Sequence, residues 1–261
     1  MRPVTCSVVL LVAMLAGPSS GIAQSGAPDA KLIEDLVAAN RILFDQGVVD
    51  GFGHISVRHD KDPNRYLLAR NVAPALVKAE DIMEFDLDSN AIDLRDRRIY
   101  LERFIHGEIY KLRPDVKAVI HSHSPSVIPF GAARAKLQPI YHMSAFLGTD
   151  VPVFEIRDVA GSATDLLVRD KALGQALAKT LGHHPVALMR GHGSVTVGNS
   201  IPQVVFRAVY AEMNAKLQAD AMRLGSVTFL TPEEAAKAAE TIDGQVMRPW
   251  ELWKRKAMKA E

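Results

Sequence analysis

Two histidines one residue apart, His121 and His123, follow an apolar run over residues 116–120 that reads as a buried strand. Side chains two apart on a strand face the same side, so both imidazoles can present to one ion. A lone pair of this spacing is a weak signal and needs further ligands. Met189-Arg190-Gly191-His192-Gly193 supplies a third imidazole at the end of another apolar run, where the flanking glycines let a bulky group approach closely. Upstream, Glu102 opens a helical stretch and His106 lies one turn later on the same face. A carboxylate beside three imidazoles can ligate a cation, or leave it and move protons as a general base or acid. Singly, each group has an ordinary reading: a turn histidine for His192, and for Glu102 an exposed carboxylate favoured by the helix dipole.

Positioning these groups falls to an alternation of helices and strands. Asp29 is an N-cap residue type, and Leu32, Ile33, Leu36, Val37, Ile42 and Leu43 recur at helical spacing up to Gly47, which predicts an amphipathic opening helix. Short apolar or alternating runs predict strands at 55–58, 66–69 and 82–87, each bounded by turn residues. A helix is expected over 101–112, stopping before Arg113-Pro114. Further strands are expected at 151–156 and 186–189, with a helix over 164–181 between them. The last long helix is placed at 202–224, and Thr231-Pro232-Glu233-Glu234 carries a capping residue with proline at N1 of a shorter one. No repeat, low-complexity block or linker interrupts the pattern. It predicts one α/β domain with helices covering a central sheet.

The chain has 261 residues, 48% of them hydrophobic, and a net charge of +1. That balance points to neither nucleic acid nor a membrane surface, and no run after the leader approaches the roughly 20 apolar residues of a membrane span. The N-terminus reads as a signal peptide over residues 1–23: Arg2, an apolar core at 8–16, and Gly21-Ile22-Ala23 before the cut. A secreted or periplasmic protein of residues 24–261 is therefore expected. The sole cysteine, Cys6, precedes the apolar core and is lost with the leader. Without thiols, histidine and carboxylate must do any metal chemistry.

Four motifs stand in order: Gly53-His54-Ile55-Ser56-Val57-Arg58, Leu101-Glu102-Arg103-Phe104-Ile105-His106, Ala118-Val119-Ile120-His121-Ser122-His123 and Gly191-His192-Gly193, with Arg113-Pro114-Asp115-Val116 leading into the third. In order and approximate spacing they resemble the class II aldolase and adducin family, which includes fuculose phosphate aldolase and ribulose phosphate 4-epimerase. The resemblance covers nearly all of the mature chain. It implies an α/β/α sandwich around a mostly antiparallel sheet, assembled as a homotetramer with sites between subunits. It also implies His121, His123 and His192 as ligands of a divalent metal, zinc first and manganese or iron next, with Glu102 as the acid/base that can also coordinate. His142 resembles the position where the aldolases place a proton-donating tyrosine of a neighbouring subunit, work a histidine could still do. A strand-end histidine without chemistry is the alternative there.

The chain departs from the family where its aldolases bind phosphate. Those enzymes use an asparagine after the glycine, a Thr-Gly loop and a Ser-Ser before the glutamate; here stand His54, Arg70-Asn71 and Tyr100-Leu101. Small hydroxyls and glycine amides are replaced by bulk and one guanidinium, so a phosphate cradle is not expected. Arginine pairs bidentately with carboxylates, which makes a small non-phosphorylated hydroxy or oxo carboxylate the expected substrate, held by His54, Arg70 and Asn71. Residues 51–58 and the Trp-rich tail look more like the family's aromatic hydroxy-acid decarboxylases than its sugar enzymes. Trp250, Trp253 and Phe146 could form an apolar wall, though packing of the tail against the core is the favoured alternative. Carbon-carbon cleavage, by retro-aldol reaction or decarboxylation, would share a metal-stabilised enolate. Two other readings stand: an iron oxygenase on the same ligands, and an adducin-like binding protein without catalysis, which the retained ligands disfavour. His59, His183 and His184 read as loop residues, and no nucleotide-binding or nucleophile-elbow motif occurs.

Overall fold

The computed structural model of the protein describes Met1 and residues 26–259. The expected leader therefore lies outside the described residues, Met1 apart. Asp29 caps α1 (Ala30–Asp45), its carboxylate accepting from the Lys31 amide at 2.8 Å. The chain continues through β1 (His54–Arg58), β2 (Arg65–Ala69), β3 (Ile82–Asp86), α2 (Phe104–Leu112), β4 (Ala118–Ser122) and α3 (Ile128–Ala132). Next come β5 (Val153–Phe154), α4 (Arg157–Ala160), α5 (Lys171–Leu181), β6 (Val186–Met189) and β7 (Gly193–Gly198). Three helices close the fold: α6 (Ile201–Leu224), α7 (Pro232–Asp243) and α8 (Met247–Ala257). The expected capping box at Thr231 and Glu234 is formed.

The strands pair in the order β3-β2-β1-β4-β7-β6-β5, antiparallel except for β5 on β6. Alternation along the strands divides the core into two layers. Ile55, Val57, Leu67, Ala118 and Ile120 pack against Leu36, Ile42, Val204 and Val205 of α1 and α6. On the other face Tyr66, Leu68, Phe85, Val119 and Val195 pack against Ile105 and Ile109 of α2 and Leu173 and Leu177 of α5. Each fully buried Leu or Ile in these layers stabilises by about 1.5–3 kcal/mol relative to exposure. The same alternation turns His54, Ser56 and His121 toward α2, with His54 opposite His121 in the β1–β4 register.

Several sequence expectations change. The strand expected over 151–156 is paired only at Val153–Phe154. The helix expected from 164 begins at Lys171, where Asp170 accepts from the Leu173 amide at 2.9 Å. Residues 164–170 instead form a non-helical segment in which Leu166 sits at φ 70°, a region that bulky side chains rarely adopt. The helix expected over 101–112 is broken: Leu101–Arg103 form a 3-10 turn with Glu102 at φ −88°, ψ 20°, and α2 starts after it. β7 was not expected, and it supplies the strand beside β4. The tryptophans form no wall. Trp250 is buried in the α1–α6 layer, Trp253 lies 6.3 Å from the Tyr210 ring, and Phe146 packs on Phe206. Among the described residues no helix is long and apolar enough to cross a membrane.

Candidate metal and active site

Four side chains far apart in sequence meet at one end of the sheet. His121 is on β4, His123 just beyond it, His192 in the turn between β6 and β7, and Glu102 in the 3-10 turn before α2. His123 Nε2 lies 3.2 Å from His121 Nε2 and 3.0 Å from His192 Nε2. The Glu102 Oε2 atom is 3.5 Å from the first and 3.4 Å from the second of the outer imidazoles, those of His121 and His192. One ligand-type atom from each of these four residues lies within 4.8 Å of the other three.

Backbone groups decide which ring nitrogen faces inward. His121 Nδ1 is 3.2 Å from the Ser194 carbonyl and His192 Nδ1 is 2.9 Å from the Leu166 carbonyl, and a carbonyl can only accept. Each Nδ1 therefore carries the hydrogen, and each Nε2 turns a lone pair to the centre. His123 Nε2 faces both lone pairs: with its hydrogen on Nε2 it donates to them, and with its hydrogen on Nδ1 it adds a third lone pair that suits a shared cation. Nitrogens bound tetrahedrally to one ion at about 2.0–2.1 Å would be about 3.3 Å apart, close to the spacing seen here. The donor set, three neutral imidazoles and a carboxylate, fits a divalent ion of the zinc, manganese or iron kind. Glu102 Oε1 accepts from the Val168 amide at 2.9 Å, which holds Oε2 toward the histidines. Gly193 lets β7 come this close: a Cβ there would sit 2.0 Å from the Ser122 carbonyl oxygen.

A cavity of about 390 Å³ opens beside the cluster, lined by Phe52, His54, Asn71, Tyr100, Leu101, Glu102, His121, His123 and Leu167. Residues 34–219 match the family described as Class II Aldolase and Adducin N-terminal domain. The chain belongs to the class II aldolase and adducin family. Among curated relatives it is 35% identical over 246 residues to "Decarboxylase tropJ" of Talaromyces stipitatus, covering 85% of this chain and 92% of that protein. It is 31% identical over 215 residues to 3,4-dihydroxyphthalate decarboxylase of Arthrobacter keyseri, covering 77% and 82%. A solved aldolase II superfamily protein from Pseudomonas syringae shares the fold with a TM-score of 0.74 at 22% identity, covering 88% of this chain and 93% of that one.

Within this aldolase-type fold the other sequence candidates fall in four places. His54 and Asn71 line the cavity, as expected of substrate-binding residues. Arg70 donates through Nε to Asp81 at 2.6 Å, and the cavity wall includes its neighbour Asn71 rather than Arg70 itself. His142 lines a separate surface groove with Leu230, Glu233 and Lys237 of the α7 region, so within one chain it does not meet Glu102. His106 does not share the Glu102 cluster as helical spacing implied, because the break at Glu102 turns the two residues apart; its ring bonds His54 and Ser56 instead. Sequence reasoning missed the carbonyl of Leu166 and the amide of Val168, which a helix there would have consumed, and the partnership of Ser56 and Tyr110. The left-handed Leu166 leaves no sequence signal.

Burial shapes the charges. It pushes the Glu102 carboxyl up, but contact with His121 and His192 outweighs it and holds the group well below the usual carboxylate range. Burial pulls His106 down to about 3 and His123 to about 4, and takes His54 well below the ordinary histidine value, with nearby imidazoles adding to each effect. A depressed histidine stays neutral in the fold while the unfolded chain takes up a proton near the ordinary histidine value of 6.5. The stability held above that pH is then lost as pH falls toward the folded-state values, by up to about 1.4 kcal/mol per pH unit for each buried ring. Melting temperatures of chelator-treated protein between pH 7.5 and 5 should therefore fall steeply on the acid side. A flat profile would mean these rings are not held neutral.

Proposed function

We propose that this protein is a divalent-metal-dependent carbon-carbon lyase, a decarboxylase of small non-phosphorylated hydroxy or oxo carboxylates. The observation that carries this reading is the convergence of three Nε2 atoms and the Glu102 carboxylate beside a cavity without the aldolases' serine and threonine phosphate groups. Decarboxylation is preferred over retro-aldol cleavage because the full-length relatives named above are decarboxylases, one of them acting on an aromatic dihydroxy acid.

His121, His123 and His192 would hold the ion, with Glu102 at its edge. A bound divalent ion polarises a substrate oxygen and stabilises negative charge left on carbon. Glu102, ionised at rest, takes the proton of a substrate hydroxyl at Oε2. The bond to the carboxylate carbon then breaks, its electron pair stays on the ring or chain carbon, and carbon dioxide leaves. Glu102 returns its proton to that carbon, and one solvent proton restores the hydroxyl, so the net reaction exchanges carbon dioxide for a hydrogen. Phe52, Tyr100, Leu101 and Leu167 give the cavity apolar walls that suit a flat ring.

Metal analysis of purified protein, joined to an anaerobic screen of 3,4-dihydroxyphthalate and related hydroxy and oxo acids, tests the reading. Carbon dioxide released with zinc or manganese supports it; an aldehyde product favours aldol cleavage, and a requirement for iron and oxygen replaces it with the oxygenase reading. The proposal also includes export through the leader and a homotetramer in which His142 of one subunit reaches another subunit's site. N-terminal sequencing of the exported protein and light scattering check these two points, and a full-length monomer would remove both.

A further inference from the structure

Below the cavity runs a chain of hydrogen bonds that uses none of the four converging groups. His54 Nδ1 meets His106 Nε2 at 2.7 Å, His106 Nδ1 meets Ser56 Oγ at 2.6 Å, and Ser56 Oγ meets the Tyr110 hydroxyl at 2.8 Å. All four residues are buried. At the outer end His54 lines the cavity, and among the described residues its Nε2 has no hydrogen-bond partner in the protein. At the inner end the Arg58 guanidinium lies over the Tyr110 ring, 4.7 Å from its centroid, and is fastened to the carbonyls of Val116, Tyr110 and Pro63. The chain stops there. It therefore cannot deliver protons to solvent and has the form of a lock.

One direction of donation satisfies every member. A buried phenol must donate its single hydrogen, and the acceptor beside it is Ser56 Oγ. The Ser56 hydroxyl, having accepted that bond, gives its own hydrogen to His106 Nδ1. His106 then carries its hydrogen on Nε2 and donates to His54 Nδ1. That leaves the hydrogen of His54 on Nε2, on the side of the ring turned from the chain and toward the cavity. Run the other way, the chain would end on a Tyr110 hydrogen with no acceptor.

We propose that Tyr110, Ser56 and His106 are positioning residues that lock His54 as a hydrogen-bond donor to an anionic oxygen of the substrate, next to the metal cluster. This rests on the reading of the cavity as a carboxylate site. A free imidazole offers either a donor or an acceptor, whereas a locked one only donates, which selects carboxylate or phenolate oxygens over amino and amide groups.

Two measurements test it. Nitrogen-15 correlation spectra of the zinc-loaded protein should place the hydrogen on Nε2 of both His54 and His106. With oxalate as the anionic probe, His54→Phe should weaken binding about tenfold or more at unchanged zinc content, the loss expected for a hydrogen bond to a charged group. His54→Gln, which keeps an N–H, should recover part of that affinity. Ser56→Ala should mix the tautomers of His106 and weaken oxalate several-fold, effects that a purely structural role for Ser56 would not produce. A hydrogen on Nδ1 of His54, or equal oxalate affinity in wild type and His54→Phe, overturns the proposal. Should His54→Phe fail to fold, the wild-type spectrum and Ser56→Ala still decide it. Failure to bind zinc would instead count against the proposed function, and the tautomers remain readable in the metal-free protein.

Discussion

Replacing His121 with alanine is expected to abolish both bound metal and turnover. The ring sits at the centre of the site: its Nδ1 is tied to the Ser194 carbonyl, and its Nε2 faces both His123 and Glu102. Without it two imidazoles and one carboxylate remain, and the loss should exceed the 10–100-fold that removal of an outer partner typically costs. Stability reports the same event. Metal present at about 100 times its dissociation constant adds about 2.7 kcal/mol to a folded protein. In a domain of this size that is about 5–11 °C in Tm. The wild type should lose this increment on chelation, and His121→Ala should never show it. Calorimetry with and without metal, alongside elemental analysis, measures both. A variant that retained stoichiometric metal would show that the three imidazoles are not a shared ligand set.

Glu102→Gln should separate binding from chemistry. The amide oxygen can still accept from the Val168 amide, and three imidazoles still face one another, so most of the metal should stay. Proton transfer should not. Loss of a positioned general base lowers turnover by about 10²–10⁴-fold, or roughly 3–5.5 kcal/mol of barrier. The readouts are metal content and single-turnover release of carbon dioxide. Activity near the wild-type level would remove Glu102 from the proton path, and a metal-free variant would make it chiefly a ligand.

The family and the donor set were legible in the chain because they depend on residue type and short spacing. An H-x-H at a strand end, a glycine-flanked histidine and an isolated glutamate in fixed order carry their chemistry wherever they fold. Element type was equally legible where patterning was strong, as in α1 with its Asp29 cap and in α7 with its capping box. The misses cluster beside the site. Residues 164–170 look helical by composition, yet they unwind so that the Leu166 carbonyl and the Val168 amide can orient His192 and Glu102. Glu102 and His106 share a helical face on paper, and a local break sends one to the cluster of three imidazoles and the other to His54 and Ser56.

Sequence alone determined which groups this protein can bring to the site: three imidazoles and one carboxylate, with His54, Arg70-Asn71 and Tyr100-Leu101 at the positions compared with the aldolases' phosphate-binding groups. Tertiary structure alone decided how they are used. It set which nitrogen of each ring faces inward, left Arg70 beside Asp81 while His54 took the cavity wall, and joined Ser56 and Tyr110 to His106 across two elements. The physical reason is that hydrogen-bond direction depends on what lies opposite each group in space. Those partners come from β1, β4, β7 and the loop before α5, which no local window contains together.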